Sequence, residues 1–239
     1  MKEQQKLLDS CGIKYTTGIA HVSGFEINYV RAGDGGPPIV LIHGANIGLG
    51  QWYSNIANLA KSFTVYALDL PGAGFSTKID FFKADLTKVF VDPVREFIIA
   101  LGIAGAHIIG HSFGGWIALK LAAENSGIID KMVLVNPMGF TNHLPAQYAL
   151  IVFPFFARLL SKTVMSPTRA NMEKFLLSVQ SKNFVPCPEF VDYFHSCVTR
   201  GQITHPFALI SRLSMPFKVR PELSVENMVP AIDNRALIV

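Results

Sequence analysis

The chain has 239 residues, of which 50% are apolar and 16% are charged, and its formal net charge is +4. This length suits one well-packed domain with an inserted subdomain. Lysines and arginines are spread singly along the chain, which argues against nucleic-acid binding because such a surface needs a basic stripe.

Targeting and cysteine signals are weak. The most apolar run, residues 148–160, is interrupted by a proline and an arginine and is shorter than the ~20 residues of a membrane helix. Residues 1–12 lack the apolar stretch of a secretory signal. Cys11, Cys187 and Cys197 are too scattered for a disulfide framework or a metal site. We therefore expect a cytoplasmic protein with free thiols, no metal and no membrane span.

The first half of the chain alternates strand and helix signals. The alternating pattern of residues 25–33 predicts a half-buried strand. Short apolar runs bounded by Gly or Pro predict buried strands at residues 39–44, 64–70, 106–110 and 131–137. Helices are predicted between them at residues 51–62, 92–103 and 114–125. In the second helix, Asp92 is the expected N-cap and Pro93 the first helical residue. This alternation predicts a doubly wound, mainly parallel α/β sheet.

The pattern changes after residue 139. Strand signals vanish over residues 140–222, where Phe, Leu and Pro are frequent, and a helical insertion is predicted there. Residues 224–233 are then typical of a short helix, and residues 234–239 of one more buried strand. We accordingly divide the chain into a first core part at 1–139, the insertion, and the start of a second core part at 223–239.

Residues 110–114 read G-H-S-F-G, where a predicted strand meets a predicted helix. A serine on such a sharp turn projects as a nucleophile, and its close neighbours must lack side chains. The N-terminus of the following helix favours negative charge at the same place. The pattern in this context predicts that Ser112 is a catalytic nucleophile.

Three motifs in register resemble the α/β-hydrolase fold family over about residues 25–140: His43-Gly44, the DLPGAGFS segment at 69–76, and the GHSFGG turn. The resemblance implies a cofactor-free enzyme that acts through Ser112. It also implies structural roles for His43, which shapes its loop, and for Asp69, which stabilises a turn.

The resemblance further implies an oxyanion hole made of backbone N–H groups. Phe113 and Ala45 are the expected donors, and Asn46 is a second candidate for the latter. His111, beside the nucleophile, is expected to pack under the turn rather than to act as a base.

The insertion resembles the helical cap that many family members carry. A cap that closes over the serine offers the substrate an apolar wall, which implies a hydrophobic small molecule. The resemblance to the family implies that the bond cleaved is an ester or a C–C bond next to a ketone. The expected pocket residues are Asn46, His111, Phe140, Phe153 and Phe156. Carboxylesterases, haloperoxidase-like enzymes, meta-cleavage-product hydrolases, acyltransferases and thioesterases remain open. The serine argues against haloalkane dehalogenases and epoxide hydrolases, whose nucleophile is aspartate.

The resemblance places an acid and then a histidine after the strand at 234–239, and the chain ends before either. Asn136 stands at the alternative position of the acid but is no carboxylate, and Asp233 precedes its strand. The remaining histidines, none of them convincing as the base, are His21, His107, His143, His195 and His205.

We therefore expect a serine hydrolase fragment that lacks the last strand and helix of the core, is inactive by itself and exposes an apolar sheet edge. The alternative is a non-catalytic ligand-binding or regulatory protein.

Overall fold

A central sheet with helices on its faces organises the chain. The computed structural model describes residues 1–45, 47–81, 85–124, 126–140, 152, 153, 155, 156, 159, 167–179, 184–200, 208–215, 218–226, 228–233 and 235–239. The strands are β1 (Tyr15–Val22), β2 (Phe25–Ala32), β3 (Pro38–Ile42), β4 (Thr64–Leu68), β5 (Ala106–His111), β6 (Ile129–Val135), β7 (Ser214–Met215), β8 (Lys218–Val219) and β9 (Arg235–Ile238). The helices are α1 (Lys2–Ser10), α2 (Tyr53–Leu59), α3 (Asp92–Ala100), α4 (Phe113–Glu124), α5 (Arg169–Val179), α6 (Pro188–Thr199) and α7 (Ala208–Leu213).

Seven strands form the main sheet, in the order β1-β2-β4-β3-β5-β6-β9. The strands from β4 to β9 in this order are parallel, whereas β2 runs antiparallel to both β1 and β4. The prediction of a mainly parallel, doubly wound sheet is thereby confirmed. Parallel strands end at a common edge, so the residues that follow β3, β4 and β5 meet there.

The hairpin of β1 and β2 was not predicted in full, because only β2 shows a clear alternating pattern. Val22 pairs with Phe25, so the connection is a two-residue turn. Both turn residues, Ser23 and Gly24, have positive φ, at 51° and 78°. Such a turn matches the twist of two antiparallel strands. The Ser-Gly pair was therefore the missed sequence signal.

Two local predictions were wrong. Asp92 is not an N-cap, because a π-helical turn at Thr87–Val91 leads directly into α3. Asp85 caps this longer helix instead, accepting hydrogen bonds from the N–H groups of Thr87 at 3.0 Å and Lys88 at 3.2 Å. The described residues of the range 224–233 form a 3₁₀ turn at Val229–Ala231 in place of the expected helix, and Pro230 in this turn has no N–H for longer helical bonding.

The region after residue 139 contains α5, α6 and α7 and, contrary to the expected absence of strands, the short antiparallel pair β7–β8. The domain boundaries proposed from the sequence stay a prediction.

The core of the fold lies around α4, which has apolar residues on nearly every side. Of its 12 residues, those buried are Phe113, Gly114, Gly115, Trp116, Ile117, Ala118, Leu119, Leu121 and Ala122. The Trp116 indole N–H donates to the carbonyl of Leu223 at 3.1 Å, which fastens the segment before β9 to this helix. The helix that begins at the GHSFGG turn is thus rigidly held.

A second apolar cluster joins α1 to α5 and α6. Its buried members are Leu7, Ile47, Met172, Leu176, Phe190, Val191, Tyr193, Phe194 and Cys197. The N-terminal helix, which was not predicted, therefore packs on the inserted helices. At the other end of the chain, β9 pairs only with β6 in the sheet, and Leu237 and Ile238 are 60% and 57% exposed.

Candidate active site

The turn between β5 and α4 holds Ser112 in a strained backbone conformation. Its φ is 51°, which costs an L-residue about 1–2 kcal/mol. Three hydrogen bonds hold it there: its N–H donates to Val135 O at 2.9 Å, and its carbonyl accepts from Met138 N–H at 3.0 Å and Trp116 N–H at 3.2 Å. The half-buried serine stands at the sheet edge where parallel strands end.

Close backbone packing explains the glycines on both sides of the turn. A Cβ built on Gly114 would overlap the carbonyl oxygen of Ile42 and would lie 2.7 Å from that of His43. A Cβ on Gly110 would lie 2.6 Å from Gly114 O. Real Cβ atoms do not approach so closely, so the turn requires side-chain-free positions where the sequence has them.

The loop after β3 lies directly against this turn. A Cβ on Gly44 would lie 3.5 Å from Ser112 Cβ and 2.6 Å from His111 Nδ1. Ala45 and Phe113 line the same small cavity of about 10 Å³, whose walls also include Leu70 and Leu209. This volume holds about one water-sized group. The structure therefore brings the two expected oxyanion donors to one place; Asn46 lies outside the described residues.

His43 is fully enclosed beneath this loop. Its Nε2 accepts from Leu70 N–H at 2.9 Å, so the proton resides on Nδ1, which donates to Gly44 O at 2.6 Å. Burial lowers the pKa of His43 to about 4, although the hydrogen bond to Gly44 O acts to raise the pKa. Both ring nitrogens are occupied by the backbone, as expected for a residue that shapes the loop.

Asp69 is the main anchor of the neighbouring loops. Its carboxylate accepts hydrogen bonds from Leu49 N–H at 2.6 Å, Asn28 Nδ2 at 2.7 Å, Phe75 N–H at 2.8 Å and the Tyr193 hydroxyl at 3.4 Å. The carboxyl group is fully buried, and this burial raises its pKa to about 6 despite the four donors. Asp69 therefore serves the structure of the site rather than proton transfer.

Gln51 is a site residue that no sequence motif indicates. Its Oε1 accepts from Gly44 N–H at 2.9 Å, and its Nε2 lies 2.8 Å from His111 Nδ1. Burial lowers the pKa of His111. The side chain of Gln51 thus connects the loop after β3 to the serine turn, whose His111 lies 60 residues after Gln51 in the chain.

Residues 37–178 match the model of the alpha/beta hydrolase fold family. This chain belongs to that family. The match covers the serine turn, the loop after β3 and the Asp69 segment, and confirms the resemblance expected from the three motifs.

Curated relatives of this α/β-hydrolase share part of their length with it. The dihydrolipoyllysine-residue acetyltransferase component of the acetoin cleaving system of Cupriavidus necator is 35% identical over 129 residues, which are 54% of this chain and 34% of the relative. The human 1-acylglycerol-3-phosphate O-acyltransferase ABHD5 is 34% identical over 105 residues, 43% of this chain and 30% of the relative. The matched segment thus spans about a third of each relative.

Solved structures agree with the fold over nearly the whole chain. A putative lipase from Acinetobacter baumannii superposes with a TM-score of 0.74 at 21% identity, covering 100% of this chain and 78% of the lipase. A meta-cleavage product hydrolase from Pseudomonas fluorescens gives 0.69 at 23% identity, covering 95% of this chain and 78% of the hydrolase. At this identity the likeness shows the fold alone.

The expected pocket residues of the α/β-hydrolase are only partly gathered. His111 packs beside the serine turn, in contact with Gln51. Phe140, Phe153 and Phe156 are 39%, 47% and 41% exposed, and the rings of the last two meet edge to face with centroids 6.3 Å apart. Their place in a substrate pocket stays a prediction.

The histidines in the described part of the chain are engaged away from Ser112. His43 and His111 are bound as above. The other three have different partners. His21 Nδ1 lies 3.9 Å from Glu26 Oε1, and His107 Nδ1 lies 3.4 Å from Asp130 Oδ2. His195 Nε2 lies 2.9 Å from Pro167 O. His143 and His205 lie outside the described residues. Asn136, where the alternative acid would stand, has a φ of 44° and donates its N–H to Val239 O at 2.8 Å.

The described part of the chain contains no group of three or more His, Cys, Asp and Glu side chains arranged to hold a metal ion. None of the helices in this part is both long enough and apolar enough to cross a membrane.

Proposed function

We propose that this chain carries the nucleophile and the oxyanion hole of a serine hydrolase that acts on a hydrophobic ester or on a C–C bond next to a ketone. The observation that carries the proposal is the strained turn at Ser112, which packs against the loop that contains Ala45. Ala45 and Phe113 line the same cavity. A strained backbone persists at such a position when function requires it.

In the proposed reaction, Ser112 Oγ attacks the substrate carbonyl carbon and gives its proton to a general base. The carbonyl oxygen becomes an oxyanion, which accepts hydrogen bonds from the N–H groups of Ala45 and Phe113. Each such donor is worth about 3 kcal/mol of transition-state stabilisation. Collapse of the intermediate expels an alcohol, or a carbanion that is protonated, and leaves an acyl group on Ser112. Water then releases this group as a carboxylic acid.

Apolar side chains support a hydrophobic substrate. Leu70, Phe113 and Leu209 line the cavity next to the expected oxyanion donors. An apolar wall lowers the local dielectric and strengthens hydrogen bonds to the oxyanion.

The five described histidines have partners other than Ser112, and His143 and His205 lie outside the described residues. The proposal is that no histidine of the 239-residue chain serves as the general base, so that the chain binds but does not turn over its substrate. This absence among the described residues also favours the second candidate, a non-catalytic ligand-binding protein.

A fluorophosphonate probe separates the two candidates. Serine attack forms the O–P bond, expels fluoride and releases the hydroxyl proton, for which added imidazole supplies a base. Mass spectrometry then locates the phosphonyl group. We expect label on Ser112, increased by imidazole, and far less on the exposed helical Ser54. Equal labelling of the two serines at every imidazole concentration would contradict a nucleophile at Ser112 and support the non-catalytic candidate.

A further inference from the structure

The side chain of Gln51 contacts both halves of the proposed oxyanion hole. Ala45 directly follows Gly44, whose buried N–H donates to Gln51 Oε1 at 2.9 Å. Phe113 lies two residues after His111, whose Nδ1 is 2.8 Å from Gln51 Nε2. One amide group therefore binds both chain segments just before their oxyanion donors.

The hydrogen-bond directions in this arrangement follow from its chemistry. Gly44 N–H can only donate, so the atom of Gln51 that meets it is the carbonyl oxygen. The amide nitrogen of Gln51 then faces His111 and donates to Nδ1. His111 must therefore keep its proton on Nε2 and remain neutral.

The packing around Gln51 is too tight for another group to replace its two hydrogen bonds. A Cβ on Gly44 would lie 2.6 Å from His111 Nδ1, so the loop and the turn are already at closest approach. Without Gln51, the buried Gly44 N–H would lose its acceptor, and unpaired buried donors cost about 1–3 kcal/mol. Such a penalty is relieved by movement of the loop, which carries Ala45.

We propose that Gln51 and His111 form a clip that holds the loop of Ala45 against the serine turn and thereby sets the separation of the two oxyanion donors. This proposal rests on the proposed function. Gln51 acts through the backbone and touches no reacting atom, so it is a positioning residue.

The clip has a pH dependence of its own. A proton on His111 Nδ1 would face the N–H of the Gln51 amide, and two donors repel, so the clip opens when His111 is protonated. His43, on the other side of Gly44, is the titratable group that the described residues place next to His111, and its pKa of about 4 keeps it neutral above pH 5. Among the described residues, His111 is therefore the group whose protonation opens the clip above pH 5.

Gln51→Glu provides the first test. A carboxylate still accepts from Gly44 N–H, but it stabilises a proton on His111 Nδ1 instead of repelling it. We expect this variant to raise the pKa of His111 by about 1 or more, measured by NMR of ¹⁵N-labelled histidine with a His111→Asn spectrum for assignment. At neutral pH the native chain should show the Nε2–H tautomer. The control Gln5→Glu adds the same charge at an exposed site and should leave His111 unchanged.

Gln51→Met provides the second test, because it keeps the bulk and removes both hydrogen bonds. We expect about a tenfold slower labelling of Ser112 by the fluorophosphonate in the presence of imidazole, with cooperative urea unfolding retained. In the native chain the labelling should slow as His111 is protonated, whereas in Gln51→Glu protonation closes the clip and the labelling should slow as His111 loses its proton.

The two proposals fail in different ways. If the native chain labels Ser112 no faster than Ser54, the proposed function is wrong, whereas the NMR titration still reports on the clip. If Ser112 labels well and Gln51→Met labels at the native rate, the clip is wrong and the proposed function stands. An unchanged pKa of His111 in Gln51→Glu would also overturn the clip.

Discussion

The strain at Ser112 leads to a prediction about which replacement of the nucleophile gives the more stable protein. Ser112→Gly and Ser112→Ala both delete the hydroxyl group, and they differ only in the backbone freedom at φ 51°. Alanine retains the left-handed penalty of about 1–2 kcal/mol, whereas glycine avoids it. Glycine loses about 0.5–1 kcal/mol of this advantage in folding free energy, because its unfolded chain has greater conformational freedom. The free energy of unfolding should therefore be about 1 kcal/mol higher for Ser112→Gly than for Ser112→Ala.

Urea unfolding measures this difference, and thermal unfolding should show it as about 2–4 °C in Tm. Ser23, with the same φ of 51° in the β1–β2 turn, is a matched control in which glycine should again exceed alanine. Ser54, inside α2, is the opposite control, because glycine in a helix is about 1 kcal/mol less stable than alanine. If glycine at position 112 were no more stable than alanine while Ser23 behaved as expected, the strained turn would be refuted.

Three further predictions concern packing, protonation and turnover. Gly114→Ala should lower the free energy of unfolding by about 3 kcal/mol, whereas Gly35→Ala, with open space around it, should change it by less than about 0.5 kcal/mol in the same urea assay. Acidification from pH 6.5 to 4 should lower the free energy of unfolding by about 3 kcal/mol through His43, because the lowered pKa of about 4 keeps this side chain neutral in the folded state. Acidification below pH 6 should raise the free energy of unfolding by a similar amount through Asp69, because the raised pKa of about 6 makes the folded state bind a proton before the unfolded state does. These effects oppose each other in the native chain, so Asp69→Asn should reveal a steeper acid destabilisation in urea titrations, and a slope equal to the native one would contradict this assignment. Finally, without added imidazole the native chain should hydrolyse p-nitrophenyl esters no faster than Ser112→Ala, and a serine-dependent burst would show that a base is already present.

The parallel strands were predictable because each carries its own signal. Continuous apolar runs bounded by Gly or Pro are typical of the central strands of a parallel sheet, and the structure has strands at each of the four predicted places. The serine turn was predictable for a similar reason, since its glycines record a backbone contact that allows no side chain. Both features are local in sequence.

The missed features depend on contacts between distant segments. Helix α1 is strongly polar, and its two leucines are buried only through contacts with distant segments: Leu7 packs in the cluster with α5 and α6, and Leu8 packs in a cluster with β2, β3 and Trp52. Gln51 has an ordinary place in a short helical turn, and its role appears only when Gly44 and His111, which is 60 positions after Gln51, lie on either side of it. No pattern along the chain encodes such a meeting.

The most direct test of the account is a crystal structure of the chain after phosphonylation. The account predicts a phosphorus atom bonded to Ser112 Oγ and its phosphoryl oxygen about 2.7–3.1 Å from the backbone nitrogens of both Ala45 and Phe113. A phosphonyl group on another residue, or a phosphoryl oxygen turned away from these two nitrogens, would contradict it.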